Sequence, residues 1–115
     1  MITYNEGFLI SQFVISLTIN DLINECIIND EITGSVGTYR NGRENGLILT
    51  VYSGSKTLSF AVAEYRNSDD IVVYSDESYF TEIDDKMHRN AIYFNYKSER
   101  EVVKHIVKTI KGYFA

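Results

Sequence analysis

Between residues 31 and 96 the chain is a series of short β-rich runs, separated mostly by reversals too short to hold a helix. The first reversal contains two Asn-Gly pairs, and Asn and Gly accept the positive φ that a tight turn requires. Strands spaced this closely pair with antiparallel neighbours. The pattern predicts a meander of about five strands: residues 31–39, 47–52, 57–65, 71–74 and 91–96.

A helix is expected before this sheet. Within residues 6–29 the apolar positions Ile15, Ile19, Leu22 and Cys26 are spaced four, three and four apart, as one face of a helix requires. Thr18 followed by Asp21 resembles a capping box, so a helix that breaks near Thr18 is one alternative. The β-branched pair at 14–15 leaves a strand as the alternative for residues 8–17.

A second helix is expected after the sheet. Ser98 and Glu101 fit the S-x-x-E capping box that starts a helix. Gly112 marks its expected end. Apolar residues recur at helical spacing from Val103 to Phe114 and predict a core stripe.

These elements predict one α+β domain over residues 1–115, an antiparallel sheet with the N-terminal and C-terminal helices packed on one face. The strand at 57–65 places Leu58, Phe60, Val62 and Glu64 on one side and small or polar residues on the other. The sheet face away from the helices is therefore expected to be partly open.

Cys26 is the only cysteine, so the chain cannot form an internal disulfide. Its apolar neighbours predict a buried thiol, and the absence of a disulfide favours a reducing, cytoplasmic location. The apolar stretch at residues 8–19 is interrupted by polar residues and is shorter than the ~20 residues of a membrane span. No Lys or Arg precedes Arg40, so neither export nor a membrane anchor is expected.

The charges are sorted along the chain. Residues 1–85 hold fourteen acidic and four basic side chains, a net charge of −10, whereas residues 86–115 hold seven basic and two acidic ones, a net charge of +5. A field of one sign steers oppositely charged partners and repels like ones. The sorting therefore points to binding partners and not to reaction chemistry.

The most acidic part holds seven carboxylates within residues 69–85 and no Lys or Arg, with tyrosines between them. Such a surface can imitate a phosphate backbone and meet a basic groove, while tyrosines add anchoring contacts. A solvated loop and capture of Ca²⁺ or Mg²⁺ are the alternatives, although the EF-hand pattern is absent. The candidate protein-binding residues are Asp69, Asp70, Tyr74, Asp76, Glu77, Tyr79, Glu82, Asp84 and Asp85.

The C-terminal helix carries a basic stripe opposite its core stripe. The cations step by three or four, so they share one helix face: Lys97, Arg100, Lys104, Lys108 and Lys111. They could contact phosphates, interact favourably with the helix dipole, or face the acidic segment of the same chain. The net negative field makes direct binding of nucleic acid the secondary hypothesis.

The sequence shows no signature of a catalytic or metal site. His88 and His105 lack a second ligand at the spacing of a metal site, and no Gly-rich phosphate loop or G-x-S-x-G motif occurs. We therefore expect a non-enzymatic protein without a cofactor or metal. Six tyrosines fall in or beside the strands and are expected to pack across them, or, if several share the open face, to form a homodimer surface.

In size, charge and composition (rich in Ile, Asn, Lys and Tyr, and without Pro) the chain resembles small accessory proteins of AT-rich bacteria and their phages. Phage-encoded inhibitors of host defence, anti-CRISPR proteins among them, share this size and charge. The resemblance covers composition and no motif, so it assigns no residue a role. The acidic surface at residues 69–85 predicts an inhibitor that occludes the basic groove of a nucleic-acid-processing protein, and the resemblance favours an inhibitor of this kind.

Overall fold

The computed structural model describes residues 9–41, 44–65, 70–76, 91–95 and 98–115. Helix α1 spans Leu9–Asn24 and helix α2 spans Glu99–Phe114. Consecutive strands pair antiparallel in the order β1-β2-β3-β4-β5. The expected α+β architecture is confirmed: an antiparallel meander, preceded by one helix and followed by another along the chain. The strand bounds are β1 Thr33–Asn41, β2 Glu44–Ser53, β3 Lys56–Tyr65, β4 Asp70–Asp76 and β5 Ala91–Asn95.

Both helices pack on the same face of the sheet. Alternate residues of the inner strands, such as Leu49, Phe60 and Val73, share one hydrophobic cluster with Val14 of α1 and Ile106 of α2. Successive strand residues point to opposite faces, so the alternation read from residues 57–65 selects the helix side. Full burial of one such side chain contributes about 1.5–3 kcal/mol, which makes this cluster the main source of stability.

The two helices run in the same direction. Near the start of α1, Ser11 contacts Glu64 at the end of β3, and just after α1 Glu25 pairs with Lys111 near the end of α2. The far end of α2 meets the β2–β3 hairpin, where Lys56 donates to the Tyr113 carbonyl at 3.1 Å. Both helix N-termini therefore lie at the Glu64 end of the sheet, and both C-termini lie at the hairpin end.

Helix α1 ends earlier than the apolar spacing indicates, and Cys26 is exposed and not buried. The Cys26 N–H donates to the Ile23 carbonyl and the Ile27 N–H to the Leu22 carbonyl, at 3.0 and 2.8 Å. This is the Schellman pattern, in which the residue after the helix takes a left-handed conformation. Cys26 has a φ of 58° and occupies that position, so its side chain leaves the helical face.

The N-terminal part of α1 is helical from Leu9, so the strand alternative for residues 8–17 does not hold over the described part. The helix also continues through Thr18, whose hydroxyl donates to the Val14 carbonyl at 2.7 Å. That bond satisfies the buried hydroxyl within the helix and leaves no reason for a break. Among the described residues, no helix is long and apolar enough to cross a membrane.

Helix α2 begins after Ser98, as the capping motif predicts, but the Ser98 side chain makes no capping hydrogen bond. Glu99 and Glu101 lie in the first turn, where carboxylates interact favourably with the helix dipole. The helix continues past Gly112 to Phe114. The last turn is held by the bond from Lys56 and by a T-shaped contact between Tyr113 and Phe114, with ring centroids 4.9 Å apart.

The two Asn-Gly pairs have different places in the fold. Asn41 pairs with Glu44, so the reversal lies at positions 42–43, which are outside the described residues. Asn45 and Gly46 are inside β2 and not in a turn. A Cβ at Gly46 would overlap the backbone carbonyl of Val62 on β3, so this position needs a glycine for close strand approach and not for a reversal.

The sheet face away from the helices is not open at its centre, contrary to expectation. Tyr39 and Tyr74 are about 1% exposed, with ring centroids 5.8 Å apart. Ala61, Ala63 and Val72 complete this second cluster and are fully buried. Small side chains on β3 give the two large rings room to approach each other across the sheet. A homodimer through this part of the face would have no surface to use.

Candidate protein-binding surface

Strand β4 divides the acidic segment into two parts. Asp70 and Asp76 are the first and last residues of β4, paired with Asn95 and Ser59 respectively. Six residue steps along a strand span about 20 Å. Asp70 therefore lies at the Glu64 end of the sheet, whereas Asp76 lies at the hairpin end. These two positions, the described ones of the acidic segment, are too far apart to form one compact site.

Tyr74 lies inside the protein and is not part of a docking surface. Its hydroxyl donates to Glu44 Oε1 at 2.6 Å, and Glu44 itself is only 4% exposed. Strand β4 is flanked by β3 and β5, and its run of four apolar residues is typical of a strand buried on both faces. That run was the sequence signal for burial, and it outweighs the acidic residues on either side.

Most of the other candidates lie outside the described residues: Asp69, Glu77, Tyr79, Glu82, Asp84 and Asp85, together with Lys97 and His88 of the other candidate sites. The strand positions of Asp70 and Asp76 are described, but their side chains are not. Asp76 occupies a row with Ser59 and Thr50, whose hydroxyl oxygens are 3.0 Å apart. This row belongs to the face away from the helices.

Tyr52 is an exposed aromatic side chain near that position. It is 39% exposed and pairs with Thr57 on the same sheet face as the Asp76 row. Two strand spacings and two residue steps place the Tyr52 backbone about 12 Å from that of Asp76. Sequence reasoning placed Tyr52 in a dimer surface and not beside the acidic segment, because the pairing that brings β2 and β4 to this end was not known.

The basic stripe on α2 is exposed but it faces carboxylates of α1. Asp21 and Glu25 line a groove together with Lys104, Lys108 and Lys111. Lys111 Nζ lies 2.9 Å from Glu25 Oε1, with both side chains about half exposed. An ion pair this exposed contributes about 0–1 kcal/mol, so it lowers the local field more than it stabilises the fold. The basic stripe of α2 and the acidic residues of the N-terminal part of the chain are therefore not fully separated in the fold.

Glu64 is a buried carboxyl group at the start of α1. Its Oε2 accepts from the Ser11 backbone N–H at 2.8 Å and lies 2.9 Å from Ser11 Oγ, which also donates to the Val62 carbonyl. Burial raises the pKa of Glu64, while the bonds from Ser11 oppose that change and the nearby Glu99 adds to it.

Glu64 links β3 to α1: it is 5% exposed and its described hydrogen bonds are to Ser11. Partial burial, with a smaller effect from Lys108, lowers the pKa of His105, which is on the neighbouring helix α2. No group of three His, Cys, Asp or Glu that could hold a metal ion occurs among the described residues.

Comparison of the chain with models of protein families, with curated proteins and with solved structures gave no match. Function must therefore be inferred from the surfaces themselves.

Proposed function

We propose that this protein is a non-enzymatic binding protein of the cytoplasm, and that the acidic segment after β4 is its docking surface. The surface comprises Asp76, Glu77, Tyr79, Glu82, Asp84 and Asp85, with Tyr52 as a neighbouring aromatic contact. The partner is a basic protein, such as a nucleic-acid-processing enzyme whose groove the acidic segment occludes. An inhibitor of host defence of the phage-encoded kind is consistent with this mode of action.

The observation that carries the proposal is the position of the α2 lysines. Lys104, Lys108 and Lys111 share a groove with Asp21 and Glu25 on the helical side of the sheet. Asp76, where the acidic segment begins, pairs with Ser59 in a row on the opposite face of the sheet. The lysines already have carboxylates beside them, which supports the proposal that the charge after β4 is available to an external cation.

The chemistry of the segment favours fast capture over tight packing. Five carboxylates within ten residues create a local negative field, which raises the rate of encounter with a basic groove and makes that rate depend on salt. Tyr52 and Tyr79 add aromatic area that can be desolvated in a complex, and tyrosine is enriched among interface hot spots. Tyr74, which is buried, and Asp69 and Asp70, at the far end of β4, are left out of this surface.

A comparison of two charge-reversed variants tests the proposal. The variant D84K/D85K changes the docking segment, and E31K/E101K makes the same change of net charge at two exposed positions elsewhere. Each variant and the unmodified chain are used as bait in a native lysate, and captured proteins are quantified by mass spectrometry. We expect basic nucleic-acid-processing proteins to be retained by the unmodified chain and E31K/E101K and lost with D84K/D85K. The same captured set for all three baits would refute the docking surface.

The alternative function is direct binding of nucleic acid by α2. It is favoured by the exposure of Arg100, Lys104, Lys108 and Lys111 on one helix face. Asp21 and Glu25 within the same groove oppose it, because they repel phosphates. A gel shift with duplex and single-stranded DNA at low salt, abolished in K104A/K108A/K111A, would favour this alternative over the first.

A further inference from the structure

Strand β1 has an edge that is uncovered within the described part of the chain. It pairs with β2 through nine consecutive residue pairs without a bulge, and β2 is its only neighbour among the described strands. Every residue from Thr33 to Thr38 is exposed, and the Ile28 side chain approaches this part of the strand at Gly34. A regular strand of this kind presents a row of outward N–H and C=O groups, which is a template for another strand.

The sequence of β1 lacks the devices that usually protect an edge. No charged residue and no proline occurs between Thr33 and Tyr39, and the strand is nine residues long. Val36 at its middle is an apolar side chain with 47% of its surface exposed. Gly37, next to Val36, has open space around it, so no neighbouring side chain blocks a second backbone there.

We propose that β1 pairs antiparallel with β1 of a second copy of this chain, joining the two sheets into one. With Val36 on the two-fold axis, the two valines are opposite each other and Gly34 lies opposite the partner's Thr38. In the same register Arg40 lies opposite the partner's Ile32, and the symmetry repeats every pair. No like charges face each other along the strand. The β-branched pair of valines on the axis favours this register.

The occupant is a second copy rather than a foreign strand because the edge is complementary to itself. A foreign peptide would need pockets for its alternate side chains, and the exposed residues of β1 are mainly Gly, Ser and Thr. The contact is small, so the dimer should be at the weak end of specific interfaces, with a dissociation constant on the order of 10–100 µM. This surface lies on β1, which β2 and β3 separate from β4, and the proposal does not rest on the proposed function.

Sedimentation equilibrium of the unmodified chain over about 10 µM to about 1 mM, a range that brackets the expected constant, tests the proposal. We expect a reversible monomer–dimer equilibrium. Val36→Lys should raise the dissociation constant at least ten-fold, because two ammonium groups would meet on the axis. Ser55→Lys adds the same charge in the β2–β3 turn and should leave the constant unchanged. A monomer throughout, or equal constants for both variants, would overturn the proposal.

Amide hydrogen exchange gives a second readout that needs no variant. As concentration rises, alternate amides between Thr33 and Arg40, those that point away from β2, should become slower to exchange. Protection spread over the other sheet face, or none at all, would overturn the β1 register. A chain that stays monomeric while an added extended peptide protects the same amides would also overturn it, since the edge would then serve a foreign strand.

Discussion

Removal of the Tyr74 hydroxyl should destabilise the protein, although this residue lies in the middle of a segment that its acidic flanks mark as surface. In Tyr74→Phe the ring keeps its contact with Tyr39, so no cavity forms, and the hydrogen bond to Glu44 is lost. At 2.6 Å this is a short bond to a carboxylate with 4% exposure. Bonds to charged groups contribute about 1.5–3 kcal/mol, so we expect a loss of about 2 kcal/mol.

The measurement is urea denaturation followed by circular dichroism, with thermal unfolding as a check. A loss of about 2 kcal/mol corresponds to a fall in Tm of about 8 °C for a chain of this length. Tyr52→Phe is the matched control: it removes the same hydroxyl from a side chain that is 39% exposed, and should change the free energy of unfolding by less than about 0.5 kcal/mol. Equal effects of the two variants would refute the burial of Tyr74 and the closed centre of the second sheet face.

Three further predictions follow from single positions. Cys26→Gly should raise the free energy of unfolding by about 1 kcal/mol in reducing buffer, because glycine accepts the φ of 58° without strain; no gain would contradict the helix end described above. Gly46→Ala should cost about 2 kcal/mol or more through overlap with the Val62 carbonyl, whereas Gly37→Ala, with open space around it, should cost less than about 1 kcal/mol; similar costs would contradict the close strand approach. Burial raises the pKa of Glu64, so the folded state holds the proton more tightly than the unfolded state, and the free energy of unfolding should fall as the pH rises above 4.5. Glu64→Gln should remove this part of the pH dependence, measured by urea titrations between pH 4.5 and 7. If the free energy of unfolding depends on pH equally in the variant, Glu64 is not the cause.

The architecture was readable from the sequence because its signals are local. The alternation at residues 57–65 correctly separates the side of Phe60 from the side of Ala61. The apolar stripe of α2 correctly identifies Val103, Ile106, Val107 and Ile110 as core residues. Periods of two and of 3.6 residues report burial directly, and tertiary packing follows them when one face of an element is covered.

Local signals failed where the deciding contact is distant along the chain. Glu64 ends an otherwise apolar strand face, and its partner Ser11 lies 53 residues away. Lys111 and its partner Glu25 are 86 residues apart. No spacing rule links such residues, so the groove between the helices could not be read in advance. The prediction that Cys26 is buried was wrong for another reason. The left-handed position after a helix is usually occupied by Gly or Asn, so a cysteine there does not indicate the end of the helix.

The candidate site was only partly readable for the same reason. Counting carboxylates located an acidic segment, but the count did not show that the strand predicted at 71–74 separates Asp70 from Asp76 by about 20 Å. The apolar run from Ile71 to Tyr74 predicted that strand but not that both of its faces are buried. Tyr74 is therefore in the interior, and Tyr52 is the exposed aromatic side chain described near the Asp76 row.

The central claim is that the acidic segment after β4 faces water and does not pair with the lysines of α2. The free energy of unfolding of D84K/D85K, from urea denaturation at low salt, tests this most directly. We expect no loss, or a gain of up to about 1 kcal/mol, because the substitutions relieve repulsion in a chain of net charge −5. A loss of about 2 kcal/mol or more that K104E/K108E restores would show that these carboxylates hold the helix, and would contradict the account.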